Sequence, residues 1–240
     1  METVETLRQY YFLVPSHVRE AYLYYLLCNP PESIVHLRRE PPPTGKTAKK
    51  LRNKDSGRRK LTEAGDDPDA PPKQPPPTII FVRHPKTAAY LTTLLQHLEI
   101  RATALHSYLS QPARLSSLQL FRASVVPVLV CTDVASRGLD MEGVGLVINW
   151  DMPTGKREPG PAAPNDDVLV GVGDSDAGVA VNEDDVGGAE EYVHRVGRTA
   201  RMGKGGVAIS FVTERREDAE MVKKIEARIR EFSTQQLICC

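Results

Sequence analysis

The chain has 240 residues, enough for one domain or two, and its 31 basic residues are balanced by 31 acidic ones. Zero net charge excludes a global basic field for nucleic acid, so any electrostatic footprint must be local. Four cysteines (Cys28, Cys131, Cys239, Cys240) show no metal-ligand spacing, and no apolar run reaches membrane-spanning length. Cys131 lies in an apolar run and reads as a buried thiol, and the polar N-terminus shows no secretory pattern. The expectation is a soluble intracellular protein in a reducing compartment.

Arg8–Val14 is aromatic and β-branched and predicts a strand. Ser16 then offers a helix N-cap, and Val18, Ala21, Tyr22, Tyr25 and Leu26 give a helical stripe ending at Leu27. Ile34–Arg39 starts a further helical turn. From Pro41 to Pro77 the pattern collapses: nine of the nineteen prolines fall there, and ten Lys or Arg lie between Arg38 and Lys60. Such a stretch buries little and reads as a disordered basic linker.

Order is expected again at Thr78, with a buried strand over Thr78–Val82. Leu91, Leu94, Leu95 and Leu98 mark one helix face; Arg101–Leu105 predicts a weaker strand. Pro112–Arg122 predicts a helix with Leu115, Leu118 and Phe121 inward. Val125–Thr132 is a continuous apolar run, the mark of a parallel strand buried on both faces, and Leu146–Trp150 is another. Thr154–Ala189, with seven glycines and eight acidic residues, reads as a disordered surface insertion. Helix is expected again over Glu190–Arg198, strand over Gly206–Val212, and an amphipathic helix over Asp218–Arg230. Strands alternating with helices predict an α/β fold with a mainly parallel sheet and helices on both faces.

Three groups of residues could carry chemistry. Arg195, Arg198 and Arg201 are spaced three apart around Gly197. On a helix, Arg198 and Arg201 would lie near one face and could grip one anion, since guanidinium groups bind phosphate oxygens in bidentate fashion. Gly197 would remove a side chain that obstructs close approach. An isolated R-x-x-R is more often an exposed basic face, so context must decide. The second group, Cys131-Thr-Asp-Val-Ala-Ser-Arg-Gly-Leu-Asp140, directly follows the most apolar strand. In open parallel sheets ligands gather beyond such strand ends. The third is Gln111 and Arg114, three apart at a helix start, where the helix dipole favours phosphate.

Together these groups resemble the C-terminal RecA-like domain of DEAD-box RNA helicases, in order from Leu7 to about Ile229. Thr78-Ile-Ile-Phe-Val82 resembles motif IV and Gln111–Arg114 the QxxR motif. Val128–Asp140 resembles motif V, Val147-Ile-Asn-Trp-Asp-Met-Pro153 the segment after it, and Tyr192–Arg201 motif VI. The resemblance implies a RecA-like fold over 1–40, 78–153 and 190–232, with 41–77 a linker, 154–189 an insertion and 233–240 a tail. It implies that Arg198 and Arg201 reach the γ-phosphate of ATP bound, with Mg2+, on another domain. It further implies that Asp140, with Gly138, lies near the nucleotide, and that Gln111, Arg114, Thr132 and Gly138 contact the RNA backbone. His194, Arg195, Asp133 and Arg137 are implied in coupling across the domain interface.

The sequence departs from the family at Ser107 and Ala200, where glycine is usual, and at His84, where threonine is common. The long insertion is compatible with the fold, because each doubling of a loop costs only about 0.6 kcal/mol. The family's Gly-rich phosphate loop and Asp-Glu-Ala-Asp motif do not occur. Pro43-Thr-Gly-Lys-Thr47 fails as a phosphate loop, because Glu40 stands where G-x-x-x-x-G-K-[ST] needs glycine.

The first expectation is therefore the C-terminal half of an ATP-dependent RNA helicase, a nucleotide-binding hydrolase inactive by itself. The partners implied are RNA, the N-terminal RecA-like domain and a protein activator, with no membrane, and the chain is expected to be monomeric. A resemblance of Leu7–Leu27 to small-subunit ribosome-biogenesis members implies pre-ribosomal RNA and a nucleolar setting in the nucleus. The competing expectation is a catalytically inert RNA- or protein-binding module. RNA binding lost with residues 41–77 but surviving Arg114→Ala and Thr132→Ala would favour it.

Overall fold

The computed structural model describes residues 7–38, 74–133, 141, 143–153, 184–200, 205–230 and 238–239. Among the described residues seven parallel strands form one sheet: β1 (Leu7–Leu13), β2 (Thr78–Phe81), β3 (Ala102–Leu105), β4 (Val128–Cys131), β5 (Leu146–Asn149), β6 (Gly206–Val212) and the two-residue β7 (Ile238–Cys239). Their order is β3-β4-β2-β5-β6-β1-β7. Among the described residues six helices accompany them: α1 (Arg19–Cys28), α2 (Glu32–Val35), α3 (Pro85–His97), α4 (Gln111–Arg122), α5 (Asp184–Val196) and α6 (Arg216–Arg230).

Side chains alternate across a strand, so each buried strand feeds two cores. Ile79, Phe81, Leu129, Cys131, Val147 and Ala208 face α4, α5 and α6, which contribute Leu118, Phe121, Tyr192, Val196 and Ile225. Ile80, Val82, Val130, Ile148 and Ile209 face α1, α2 and α3 through Leu23, Leu27, Ile34, Leu91 and Leu95. Burial of each Val, Leu, Ile or Phe among them contributes about 1.5–3 kcal/mol. The expected α/β fold with helices on both faces is what the chain forms.

Local corrections have physical reasons. Ser16 does not cap α1. It opens a 3-10 turn, Ser16–Val18, and α1 begins at Arg19. The inward face of α1 is Leu23, Leu26 and Leu27, while Ala21, Tyr22 and Tyr25 are exposed. Aliphatic leucines at i, i+3 and i+4 take the sheet, and tyrosine hydroxyls keep to water. Leu115 is 51% exposed. The buried stripe of α4 passes instead through Ser117, whose hydroxyl accepts a 2.9 Å hydrogen bond from Thr103 on β3. β4 is shorter than the apolar run, because Val125 serves the end of α4. α5 begins inside the acidic stretch, at Asp184. Gln74–Pro77 is ordered ahead of β2: Gln74 donates to the Glu99 carbonyl (2.8 Å) and accepts from the Arg101 amide (2.9 Å).

α3 and α4 end alike. Glu99 (φ 61°) and Ser124 (φ 59°) sit in the left-handed region. Ile100 N–H reaches back to Leu95 O and Val125 N–H to Leu120 O, closing Schellman motifs. A side chain is strained there and glycine is not. Glu99→Gly is expected to stabilise the chain by about 0.5–1 kcal/mol. Urea titration checks this, and a loss of stability would contradict the cap reading.

Because all strands run one way, their carboxyl ends share an edge. Chain order crosses over around β2, and the helix after β2 leaves on the opposite face from those after β3 and β5. Such a switch opens a crevice where ligands bind.

Candidate functional site

At that edge stands Arg195, one residue from the end of α5 and only 3% exposed. Its guanidinium meets Asp133, just beyond β4, as a two-pronged pair: Nε to Oδ1 and Nη2 to Oδ2, both 2.6 Å. Nη1 donates to the Asp151 carbonyl at 2.6 Å and to Asn149 Oδ1 at 3.4 Å, both at the end of β5. The group also lies 5.3 Å from the centre of the Phe81 ring, at the end of β2. One side chain thus ties α5 to three central strands. Burial alone would lower the arginine's pKa; the adjacent Asp133 carboxylate outweighs it and holds the pKa above its ordinary value. Burial pushes the Cys131 thiol up, so it stays a neutral core group.

One turn earlier, Tyr192 is fully buried, stacks on Tyr11 (6.2 Å, 21°) and donates to Gln9 Oε1 at 2.9 Å. Burial pushes its pKa up to about 12. These contacts fix the end of α5 against β1 as well.

The helix stops at Val196, which corrects the reading of Glu190–Arg198 as one helix. Arg198 lies in the turn beyond it, partly exposed, with its amide donating to Arg195 O at 3.1 Å. The helical-face argument for Arg198 therefore does not apply. At Gly197 a Cβ would meet Val193 O of its own helix at 3.0 Å, so the glycine does not serve close approach of another element's backbone. Close approach belongs to Gly206, where a Cβ would fall 2.2 Å from Thr199 Oγ1 and 2.5 Å from the Ala200 amide. Thr199 is buried; its hydroxyl donates to Val144 O at 2.7 Å, and the two residues form a parallel bridge. Ala200 follows at φ 55°. The backbone on the far side of Arg198 is thus clamped between the start of β5 and the start of β6. Gly206→Ala should displace it and cost about 1–3 kcal/mol. Thermal unfolding reads this, and an unchanged midpoint would contradict the clamp.

His194 is exposed on α5, beside the site. Gln111 is exposed and Arg114 half-buried on the first turn of α4, at the same carboxyl edge. Thr132 is 5% exposed, and its amide donates to Leu105 O at 3.2 Å. Arg137, Gly138, Asp140 and Arg201 lie outside the described residues. Asn149 and Asp151 were visible only as part of a motif-like run. Arg19, Thr199 and Gly206 carried no individual signal.

The site therefore holds one arginine buried in a structural pair and a second, Arg198, partly exposed on a clamped backbone at the carboxyl edge of the sheet. Residues 72–203, more than half of the chain, match the family model "Helicase conserved C-terminal domain". The chain belongs to that family. It is 40% identical over 244 aligned positions to "ATP-dependent RNA helicase DBP8" of Mycosarcoma maydis, covering 98% of this chain and 39% of that protein. In fold it is similar to the C-terminal domain of the DEAD-box protein Dbp5 (TM-score 0.57, 22% identity, covering 96% of this chain and 89% of that one). It is also similar to S. cerevisiae Dbp5 bound to RNA and ADP BeF3 (TM-score 0.57, 22% identity, covering 99% and 42%). The chain thus spans about two fifths of the length of the curated relative.

Proposed function

We propose that this chain is the C-terminal half of an ATP-dependent RNA helicase, coupling RNA-stimulated ATP hydrolysis to remodelling of RNA duplexes or RNA–protein complexes. The observation that carries the reading is the division of labour between two arginines. Arg195 is buried against Asp133, and Arg198 stands past the helix end, partly exposed and on a clamped backbone, at the carboxyl edge of the sheet where a ligand's anion can approach. ATP and its Mg2+ would sit on the other half, and closure of the two halves would bring the γ-phosphate to Arg198 and Arg201. Their fixed charges would stabilise the negative charge spread over the transferred phosphoryl group. Asp140 and Gly138 take the nucleotide side of the interface by motif position.

On the same edge, Gln111 and Arg114 offer polar groups and a helix N-terminus to the RNA backbone; Thr132 and Gly138 join them by motif position alone. Backbone contacts set orientation without reading sequence, which suits action on many duplexes. His194, Arg195, Asp133 and Arg137 would transmit closure between the halves. The relative from Mycosarcoma maydis, by its name, supports ATP and RNA as substrates, and Dbp5 bound to RNA and ADP BeF3 supports simultaneous occupancy. The setting we favour is ribosome biogenesis in the nucleolus, on pre-ribosomal RNA and with a protein activator; the resemblance of Leu7–Leu27 supports it.

The test joins this chain to the N-terminal half of the Mycosarcoma maydis relative and measures ATP hydrolysis with and without poly(U) RNA. Stimulation by RNA that falls with Arg114→Ala is expected. Turnover indifferent to RNA would contradict the proposal.

A further inference from the structure

We propose that Arg19 is a positioning residue for the arginine site, acting through Trp150 and Asp151 from the opposite face of the sheet. Arg19 is the first residue of α1, where a cation opposes the helix dipole. It is also poorly placed for its own hydration: the side chain is 12% exposed, and its Nε has no hydrogen-bond partner among the described residues. Burial lowers its pKa, with Asp151 opposing. Local helix stability therefore does not explain an arginine here. Its contacts do.

The guanidinium carbon lies 4.1 Å above the centre of the Trp150 ring, which also packs at a tilt on Phe211 (5.9 Å). Nη2 donates to the Trp150 carbonyl and, at 3.3 Å, to Asp151 Oδ1. The second carboxylate oxygen of Asp151 accepts the Arg83 amide at 2.9 Å, just after β2. The carbonyl of the same Asp151 accepts Arg195 Nη1. The end of β5 is thus held from one face by Arg19, at Trp150 and Asp151, and from the other by Arg195, at Asn149 and Asp151.

Losing Arg19 frees the Trp150–Asp151 peptide to tilt, and the Asp151 carbonyl moves away from Arg195. Arg195 sets the end of α5, and Arg198 follows three residues on. The guanidinium plane matters, because lysine keeps the charge and one carbonyl contact but not the flat stacking on Trp150.

The inference rests on the reading of Arg198 given above, and its test separates the two. In the full chain, NMR of 15N-labelled arginine side chains reads solvent exchange at Arg195 Nε–H. Arg19→Met should speed it by about tenfold or more through local opening. Arg19→Lys should be intermediate, and Leu26→Ala, a core change on the same helix, should not single out Arg195. In the joined two-domain protein, Arg19→Met should lower kcat by about 10- to 100-fold. KM for ATP and for poly(U) should stay within about twofold, because neither ligand touches Arg19. Unchanged Arg195 exchange in Arg19→Met overturns the inference, as does faster exchange with unchanged kcat. An inactive wild-type joined protein would count against the proposed function, and Arg195 exchange would still decide the role of Arg19.

Discussion

Asp133→Ala is expected to cost about 3–5 kcal/mol of folding stability, far more than a surface ion pair would. The reason is what remains. Arg195 would stay 3% exposed with two of its four hydrogen bonds lost, including both charge-assisted contacts to the carboxylate. A buried cation without its counter-charge pays the desolvation that the pair had offset. The double variant Asp133→Leu with Arg195→Leu should recover much of the loss, since hydrophobic replacement of a buried pair is often near neutral. Urea unfolding of the two single variants and the double gives the coupling directly. An Asp133→Ala chain as stable as the parent would show that the pair is a surface contact, contrary to its geometry.

Arg198→Ala should act on rate and leave the fold in place. Arg198 is partly exposed and lies beyond the end of α5, and its amide bond to Arg195 O is made by the backbone, which alanine retains. In the joined two-domain protein, its loss should lower RNA-stimulated kcat by about 10³–10⁵, the range for arginines that stabilise phosphoryl transfer. Arg198→Lys should rescue little, because a point charge cannot reproduce the planar fork on phosphate oxygens. Unfolding of Arg198→Ala should shift by about 1 kcal/mol or less, well short of the loss at Asp133. The pairing of a large rate loss with a small stability change distinguishes Arg198 from Arg195, whose removal should damage both heavily.

That distinction was not legible in the sequence. His194-Arg-Val-Gly-Arg198 presents two arginines three apart, and spacing says nothing about which one is buried. The answer depends on Asp133, Asn149 and Asp151, brought from the ends of two other strands, and on a helix that stops at Val196. Arg19 was silent for a stronger reason: its partner Asp151 lies 132 residues away, and the contact crosses the sheet edge. The strands themselves were legible because runs such as Val128–Cys131 and Leu146–Asn149 are buried on both faces and need no alternation. Helix faces were harder. Tyr22 and Tyr25 in α1 score as apolar in a stripe but carry hydroxyls that stay in water. On α4, Leu115 gave its inward position to a serine with a cross-element hydrogen bond. Position-by-position hydrophobicity cannot foresee such exchanges.

The most direct test of the central claim is RNA-stimulated ATP turnover by the 240-residue chain alone, set beside the joined two-domain protein under the same conditions. If the chain supplies arginine to a phosphate held elsewhere, it turns over no ATP by itself, and the joined protein does so in a manner lost with Arg198→Ala. Turnover by the isolated chain, abolished by Arg198→Ala, would contradict the account, because it would place a complete ATP site within these residues.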